Sequence, residues 1–370
     1  MNSEEYYNKV LGGWLGRVAG SHFGTPLEFR PYKYIQKKYC DKGTKEITGY
    51  VKPVNTETVN DDEIYEIVGL LTLEEKGIEI SSRDIAEGWA KYLIKYQYTA
   101  EKAAKKNILK GIMPPESATL NNIWFDAIGG QMKADIWGLI SPNCPEVAAH
   151  YARIDGAVAH SGIGIDGEVF IAGIVSNAFA QTSDSLDLKS LIQNGLKLLP
   201  PDSRYAKFIG ETLKIYETHE NWRDARTEML RQWYKIRKHL IHSSNGMRKY
   251  AYLKSPLQFL NVLPNAGIIV LSLLYGQEDK TDPFGRPICI SGMMAYDTDC
   301  NCGNIGTIMG TIFGAEELPA PWKSPLKNTF TTYIKGQSSW KITELASRIA
   351  DLGKKVIAEK CPERKVESKD

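Results

Sequence analysis

Residues 12–29 read GGWLGRVAGSHFGTPLEF, and residues 296–314 read YDTDCNCGNIGTIMGTIFG. In the first run Gly16, Gly20 and Gly24 recur every four residues, and in the second Gly306, Gly310 and Gly314 do the same. Four residues is close to one helical turn, so each set falls along one face of a helix. Glycine inside a helix costs about 1 kcal/mol relative to alanine, and such a run therefore needs a compensating reason. A face without side chains lets two helix backbones approach closely, the logic familiar from membrane helices. Arg17 and the neighbouring aspartates argue against lipid, which puts the contact inside a soluble bundle. Both helices are expected to run through the centre of the protein. Tight packing with no site nearby explains the glycines taken alone.

Outward from these runs the patterning stays helical. Ile64, Ile67, Val68 and Leu71 fall at i, i+3, i+4 and i+7. Asn60 is a good N-cap with Glu63 three positions on, and Lys76-Gly77 supplies a stop. Further helices are expected around 5–23, 83–96, 100–110, 144–154, 166–181, 187–198, 203–218, 222–239, 258–274, 302–314 and 342–358. Residues 45–54 read as a short hairpin arm, and little else reads as strand. Proline pairs at 114–115 and 200–201 punctuate helices without separating domains. The expectation is an all-α chain forming one domain over 1–360, with a charged, fraying tail at 361–370.

Composition removes several function classes. Lysine plus arginine number 46 against 44 aspartates plus glutamates, a net charge of +2. That balance does not suit a protein held to nucleic acid by counterion release. The amino terminus lacks a basic-then-apolar signal pattern, and the most apolar stretch, 259–275, is broken by Asn261, Pro264 and Asn265. No uninterrupted run reaches the roughly 20 residues that span a bilayer. The six cysteines show no CxxC spacing, so reduced thiols in a cytoplasm are expected. The reading is a soluble cytoplasmic protein without nucleic-acid or membrane partners.

Three acidic clusters flank the glycine runs. Glu28 sits just past the first, Asp297 and Asp299 open the second, and Asn60-Asp61-Asp62-Glu63 opens a helix. Acidic residues in a first helical turn also offset the helix dipole, which explains any one cluster by itself. Together they place four aspartates at the mouths of two central helices. Two like charges 4 Å apart repel by about 4 kcal/mol at an effective dielectric of 20, so a cation is expected between them. Oxygen-only ligands suit Mg²⁺ or Mn²⁺ better than zinc, and two aspartate pairs are enough for two ions.

These runs, the helix start VNDDE, and Leu318-Pro319 with Trp322 resemble the ADP-ribosylglycohydrolase family, in order and spacing, from near residue 10 to about 322. The resemblance implies a compact orthogonal multi-helix bundle with a dinuclear Mg²⁺ centre in a cleft. It further implies hydrolysis of the bond between the anomeric carbon of ADP-ribose and an acceptor, with an ADP-ribosylated protein as a potential partner. Carried over by motif, Asn60, Asp61 and Asp62 form the first metal triplet, and Asp297, Asp299 and Cys300 the second. Glu28 matches a glutamate in the loop that closes over the site, and Glu28 and Asp62 are the candidates for proton transfer.

Several positions depart from the family pattern. Asn60 and Cys300 stand where threonine is usual; a soft thiol suits Mg²⁺ poorly, and water, or nothing, is expected in its place. The loop that wraps a diphosphate, usually glycine–asparagine–glycine and then Met-Arg, reads here Ala127-Ile128-Gly129, then Gly130-Gln131-Met132-Lys133. Gly129, Gly130 and Gln131 are nonetheless carried over as substrate-binding, as are His160 and Gly167 of the segment HSGIGIDG. His160 reads equally as a hydrogen-bonded core residue. No strand precedes GIGIDG, so a dinucleotide fingerprint does not apply. Trp124, Phe125, Trp137 and Tyr296 suit either base stacking or the core. The leading expectation is a Mg²⁺-dependent hydrolase of an ADP-ribosyl group. A hydrolase of a simpler nucleoside or ribosyl conjugate, and a catalytically silent binding relative, are the alternatives.

Overall fold

A computed structural model describes residues 1–95, 97–243, 248–364 and 366. Among the described residues there are eighteen α-helices, a few 3₁₀ turns and one two-stranded sheet. Among the described residues no helix is long and apolar enough to cross a membrane.

The two glycine runs lie on the helices Ser3–Gly24 and Thr298–Glu317, and these pack antiparallel against each other. A Cβ added to Gly12 would lie 2.2 Å from the Gly310 carbonyl oxygen, one on Gly16 1.9 Å from that of Gly306, and one on Gly20 2.0 Å from that of Cys302. At the end of this ladder a Cβ on Gly24 would meet the Thr298 carbonyl oxygen at 2.3 Å. Any side chain at these positions forces the backbones apart, so glycine is required for the approach itself. Because the ladder is antiparallel, it sets the exit of the first helix, with Glu28, beside the entrance of the second, with Asp297 and Asp299.

Around this pair, the helix Val262–Gly276 is buried along its whole length. The helix Asp62–Lys76 is buried from Asp62 through Leu73, which carries its acidic first turn into the interior. The N-cap of this helix is Asp61, one position later than expected, while the Asn60 side-chain oxygen accepts the Asp62 backbone N–H at 2.9 Å. The expected 258–274 helix is split, with a 3₁₀ turn Pro256–Leu260 and then Asn261 capping the next helix.

Strand occurs in a different place from the one expected. Residues 45–54 are irregular with a few bends, because their apolar members dock separately on the body: Ile47 is buried and the Tyr50 hydroxyl donates to the Trp322 carbonyl. The hairpin lies at Thr329–Ile334 and Gln337–Lys341, where Phe330 pairs with Trp340 and stacks on Trp14. Its first strand alternates half-buried and buried positions, the pattern of a strand with one face on the core. The start of the tail also departs from expectation, since Cys361 is buried against Cys144 and Ile357. Residues 365 and 367–370 lie outside the described residues.

Candidate active site

A cavity of about 460 Å³ opens where the glycine ladder ends, and Glu28, Asn60, Asp61, Asp62, Asp297, Asp299, Cys300 and Gly129 all contribute to its wall. Residues more than 230 positions apart in sequence meet here. The Asn60 amide Nδ2 donates to Asp299 Oδ2 at 3.1 Å, and the Cys300 thiol points at Asp62 Oδ1 at 3.4 Å. Ligand atoms of Asp297, Asp299 and Cys300 lie within 4.8 Å of one another.

The charge in this wall is held by a cation behind it. Arg17, on the glycine helix and buried, pairs with Asp62 at 3.1 Å, Glu66 at 3.3 Å and Asp135 at 3.1 Å, and also donates to the Met132 carbonyl. Burial disfavours its charge, but Glu66, Asp135 and Asp62 outweigh that and raise its pKa. Asp135 is further bound by Asn304 and Thr307 from the second glycine helix, so one polar cluster ties four helices together.

Nearer the cavity, the carboxyls are pushed toward their neutral forms. Burial, then Asp299 and Asp61, raise Glu28 to about 9, and burial, then Asp299, raise Asp61 to about 7. Asp297 is raised by burial and by Asp299 and Glu28. Burial and three carboxyls raise Cys300, so its sulfur stays a protonated thiol that donates to Asp62 and is no hard-metal ligand. Asp297 Oδ1 and Asp299 Oδ1 are buried with no hydrogen-bond donor. Two orphaned carboxylate oxygens in a common pocket fit a divalent cation that takes oxygen ligands.

Four residues expected at the ligand do not line the cavity. A Cβ on Gly130 would meet Gly164 and Glu168, and one on Gly167 would meet Val262 and Tyr205, so both are helix-packing glycines. Gln131 is buried and accepts the Tyr205 hydroxyl. His160 is buried and bonds Glu101 Oε1 through Nε2 at 2.8 Å. It reaches the cavity only through Glu101, whose carboxyl lines the wall. Glu101, in the cavity wall, and Arg17, paired behind it, are the positions at this site that sequence patterning missed. Arg17 carried a signal, as a lone cation one residue after Gly16; Glu101, apart from every motif, carried none. Trp137 belongs to the core, fully buried against Tyr151.

The helical arrangement is that of a class of glycosidic-bond hydrolases. A solved structure described as an ADP-ribosylglycohydrolase-related protein complex matches with a TM-score of 0.56 at 12% identity, over 95% of this chain and 99% of that one. At that identity the likeness speaks for the fold alone. The ADP-ribosylglycohydrolase family model matches residues 2–359, and the chain belongs to that family. It is thus a glycosidic-bond hydrolase, of a family that acts on ADP-ribosyl substrates and is typically metal-dependent. Among curated proteins none matches this chain.

Proposed function

We propose that this chain hydrolyses the bond at a ribose anomeric carbon with the help of two Mg²⁺ ions held at the cavity wall. The observation that carries the reading is the pair of donor-less buried oxygens, Asp297 Oδ1 and Asp299 Oδ1, in the same cavity as Asp61 and Asp62. A buried carboxylate oxygen without a partner is costly, and an oxygen-binding cation offsets that cost. Asp61 and Asp62, with Asn60 once its carboxamide turns, would hold one ion, and Asp297 and Asp299 the other; Mn²⁺ suits the same donors. Bound there, the ions supply Lewis acidity toward ribose hydroxyls and acidify a coordinated water.

The remaining work falls to protein groups. Asp62, whose carboxyl burial pushes toward its neutral form against the pull of Arg17 at 3.1 Å, would accept the proton of the attacking water once a bound cation favours its ionised form. Glu28, on the loop beyond the glycine helix, donates a proton to the leaving atom. His160 fixes the orientation of Glu101 against the wall. Residues 1–360 act as one domain in this reading, supported by a buried apolar cluster that runs from Tyr6 to Val356. Six unbridged cysteines support a cytoplasmic setting. The ribose belongs to an ADP-ribosyl group, free or on a protein, or to a smaller ribosyl conjugate.

The test pairs metal binding with turnover. Mg²⁺ is expected to raise the melting temperature, and release of ribose or ADP-ribose from a ribosylated substrate is expected to require it. Asp297→Asn should lose turnover and the share of the Mg²⁺ response that its site contributes, while keeping its helical circular dichroism. A wild-type protein that binds no Mg²⁺ and releases no sugar would end this reading.

A further inference from the structure

Among the carboxyls that line the cavity, Glu101 is set apart from the rest. It comes from the helix Thr99–Ile108, and it does not join the close group of Asp297, Asp299 and Cys300. Glu28, Asp61 and Asp297 are pushed toward their neutral forms, whereas Glu101 is pulled the other way. Burial would raise it, but His160, with Lys133, outweighs burial and holds it below the ordinary carboxylate range. Its charge also contributes to the rise at Asp61, so the two border the same space.

The orientation of this carboxylate is built from several sides. His160 Nε2 meets Oε1 at 2.8 Å, and the other ring nitrogen, Nδ1, faces the Phe125 carbonyl at 3.3 Å. A carbonyl only accepts, so Nδ1 donates to it, and the ring is held at both nitrogens. Gly129 lies against the pair: a Cβ there would stand 1.9 Å from Glu101 Oε1 and 2.8 Å from His160 Nε2. Carboxylate and imidazole therefore rest directly on the backbone of a segment that itself lines the cavity.

A carboxylate offers about four acceptor sites. His160 takes one, while the Thr99 hydroxyl, at 3.4 Å, and the residue's own backbone N–H approach two others. Room for one more donor is left on a carboxyl that lines the cavity. An ion pair serving the fold alone gains nothing from an unfilled acceptor site, because leaving one costs free energy. The donor that a ribosyl substrate brings is a hydroxyl of its ribose.

We propose that Glu101 is a catalytic residue that accepts a hydrogen bond from a ribose hydroxyl of the substrate, with His160 as the positioning residue that aims it. This rests on the hydrolytic reading above and adds a group that neither metal binding nor the two proton-transfer roles uses. As the glycosidic bond breaks, positive charge develops on the sugar ring, and a hydroxyl beside that charge becomes a stronger donor. The hydrogen bond tightens in the transition state, so its loss falls on kcat more than on KM.

The test is turnover by the full chain with Mg²⁺, using ADP-ribosylarginine, an ADP-ribosylserine peptide and adenosine as probes. Glu101→Gln, nearly isosteric, is expected to lower kcat about a hundredfold while KM and the calorimetric Kd for Mg²⁺ each stay within about threefold. His160→Gln is expected to lower kcat about tenfold alone and to add nothing on top of Glu101→Gln, a non-additivity that a purely structural role does not give. Should Glu101→Gln fail to fold by circular dichroism, Gly129→Ala displaces the carboxylate without deleting it and should lower kcat by a similar factor. Wild-type kcat in either variant, loss of a Mg²⁺ site in Glu101→Gln, or an equal His160→Gln effect in both backgrounds overturns the inference and leaves hydrolysis at the anomeric carbon standing. If wild-type protein shown calorimetrically to bind Mg²⁺ cleaves none of the probes, the hydrolytic reading falls and this inference falls with it.

Discussion

Gly16 and Gly306 face each other so closely that a Cβ on Gly16 would lie 1.9 Å from the Gly306 carbonyl oxygen, and a Cβ on Gly306 2.0 Å from that of Gly16. Backbone stands on both sides, so no side chain can yield. Gly16→Ala is therefore expected at or beyond the upper end of overpacking costs, about 3 kcal/mol. Since the same ladder sets Gly24 against Thr298 and Asp299, any Mg²⁺-dependent rise in melting temperature should be lost with it. Gly210, in the helix Arg204–Thr218, is the control: an added Cβ there meets nothing within 4 Å. Gly210→Ala should stabilise by about 0.5–1 kcal/mol through helix propensity. Urea unfolding of the two variants checks both signs.

Arg17 answers three buried carboxyls at once, so its removal leaves Asp62, Glu66 and Asp135 without a counter-charge. Breaking a buried pair by deleting one partner costs about 3–5 kcal/mol, and Arg17→Met is expected in that range. Arg17→Lys should recover only part of the loss, because one compact ammonium cannot address three carboxyls and the Met132 carbonyl in the geometry of a planar fork. Adding Asp135→Asn to Arg17→Met should restore some stability, a coupling that a double-mutant cycle in urea measures directly.

How far the sequence disclosed this arrangement depends on what each signal encodes. The glycine spacing is a statement about backbone approach, and the approach occurs at those residues, between those two helices. The acidic clusters likewise meet in one cavity, since the ladder aligns the ends that carry Glu28 and Asp297 with Asp299, and Arg17 on the ladder pairs with Asp62 of the third. Helix ends were legible for the same local reason, as at Gly77, whose φ of +87° ends the Asp62–Lys76 helix. Long-range facts were not. His160, Gln131 and Gly167 face inward because of the helices packed on them, which no local spacing reports. The 329–341 hairpin was hidden by its polar outer face, and the 45–54 segment is held on the body by Ile47 and Tyr50 separately, without strand pairing.

Asp299 brings a further expectation, one that separates metal binding from folding. Its Oδ2 accepts from Asn60, and its Oδ1 is buried without a donor. Asp299→Asn keeps an oxygen for Asn60 and removes a like charge from the neighbourhood of Asp61 and Glu28. In the presence of a chelator the variant should therefore be at least as stable as wild type. With Mg²⁺ at 100 times its Kd, wild type should gain about 2.7 kcal/mol per site, and the variant should lose the contribution of the site it spoils. Thermal unfolding with and without chelator gives both comparisons.

Asp126 makes a pH prediction away from the cavity aspartates. It accepts from the Tyr252 hydroxyl at 2.6 Å and from the Asn261 amide at 3.1 Å, with His160 also near enough to lower its pKa. Burial outweighs these and pushes it up to about 6, against an ordinary 3.8. The folded state thus binds this proton more tightly than the unfolded chain. Its contribution is fully present below the unfolded pKa and is lost as pH rises through the folded one. Each pKa unit corresponds to about 1.4 kcal/mol, so the two-unit gap makes the loss about 3 kcal/mol. Asp126→Asn cannot ionise. Between pH 4 and pH 7 the stability of wild type relative to this variant should therefore fall by about that amount, measured as paired urea titrations; a difference that stays flat across the range would place the Asp126 carboxyl in its ordinary ionised form.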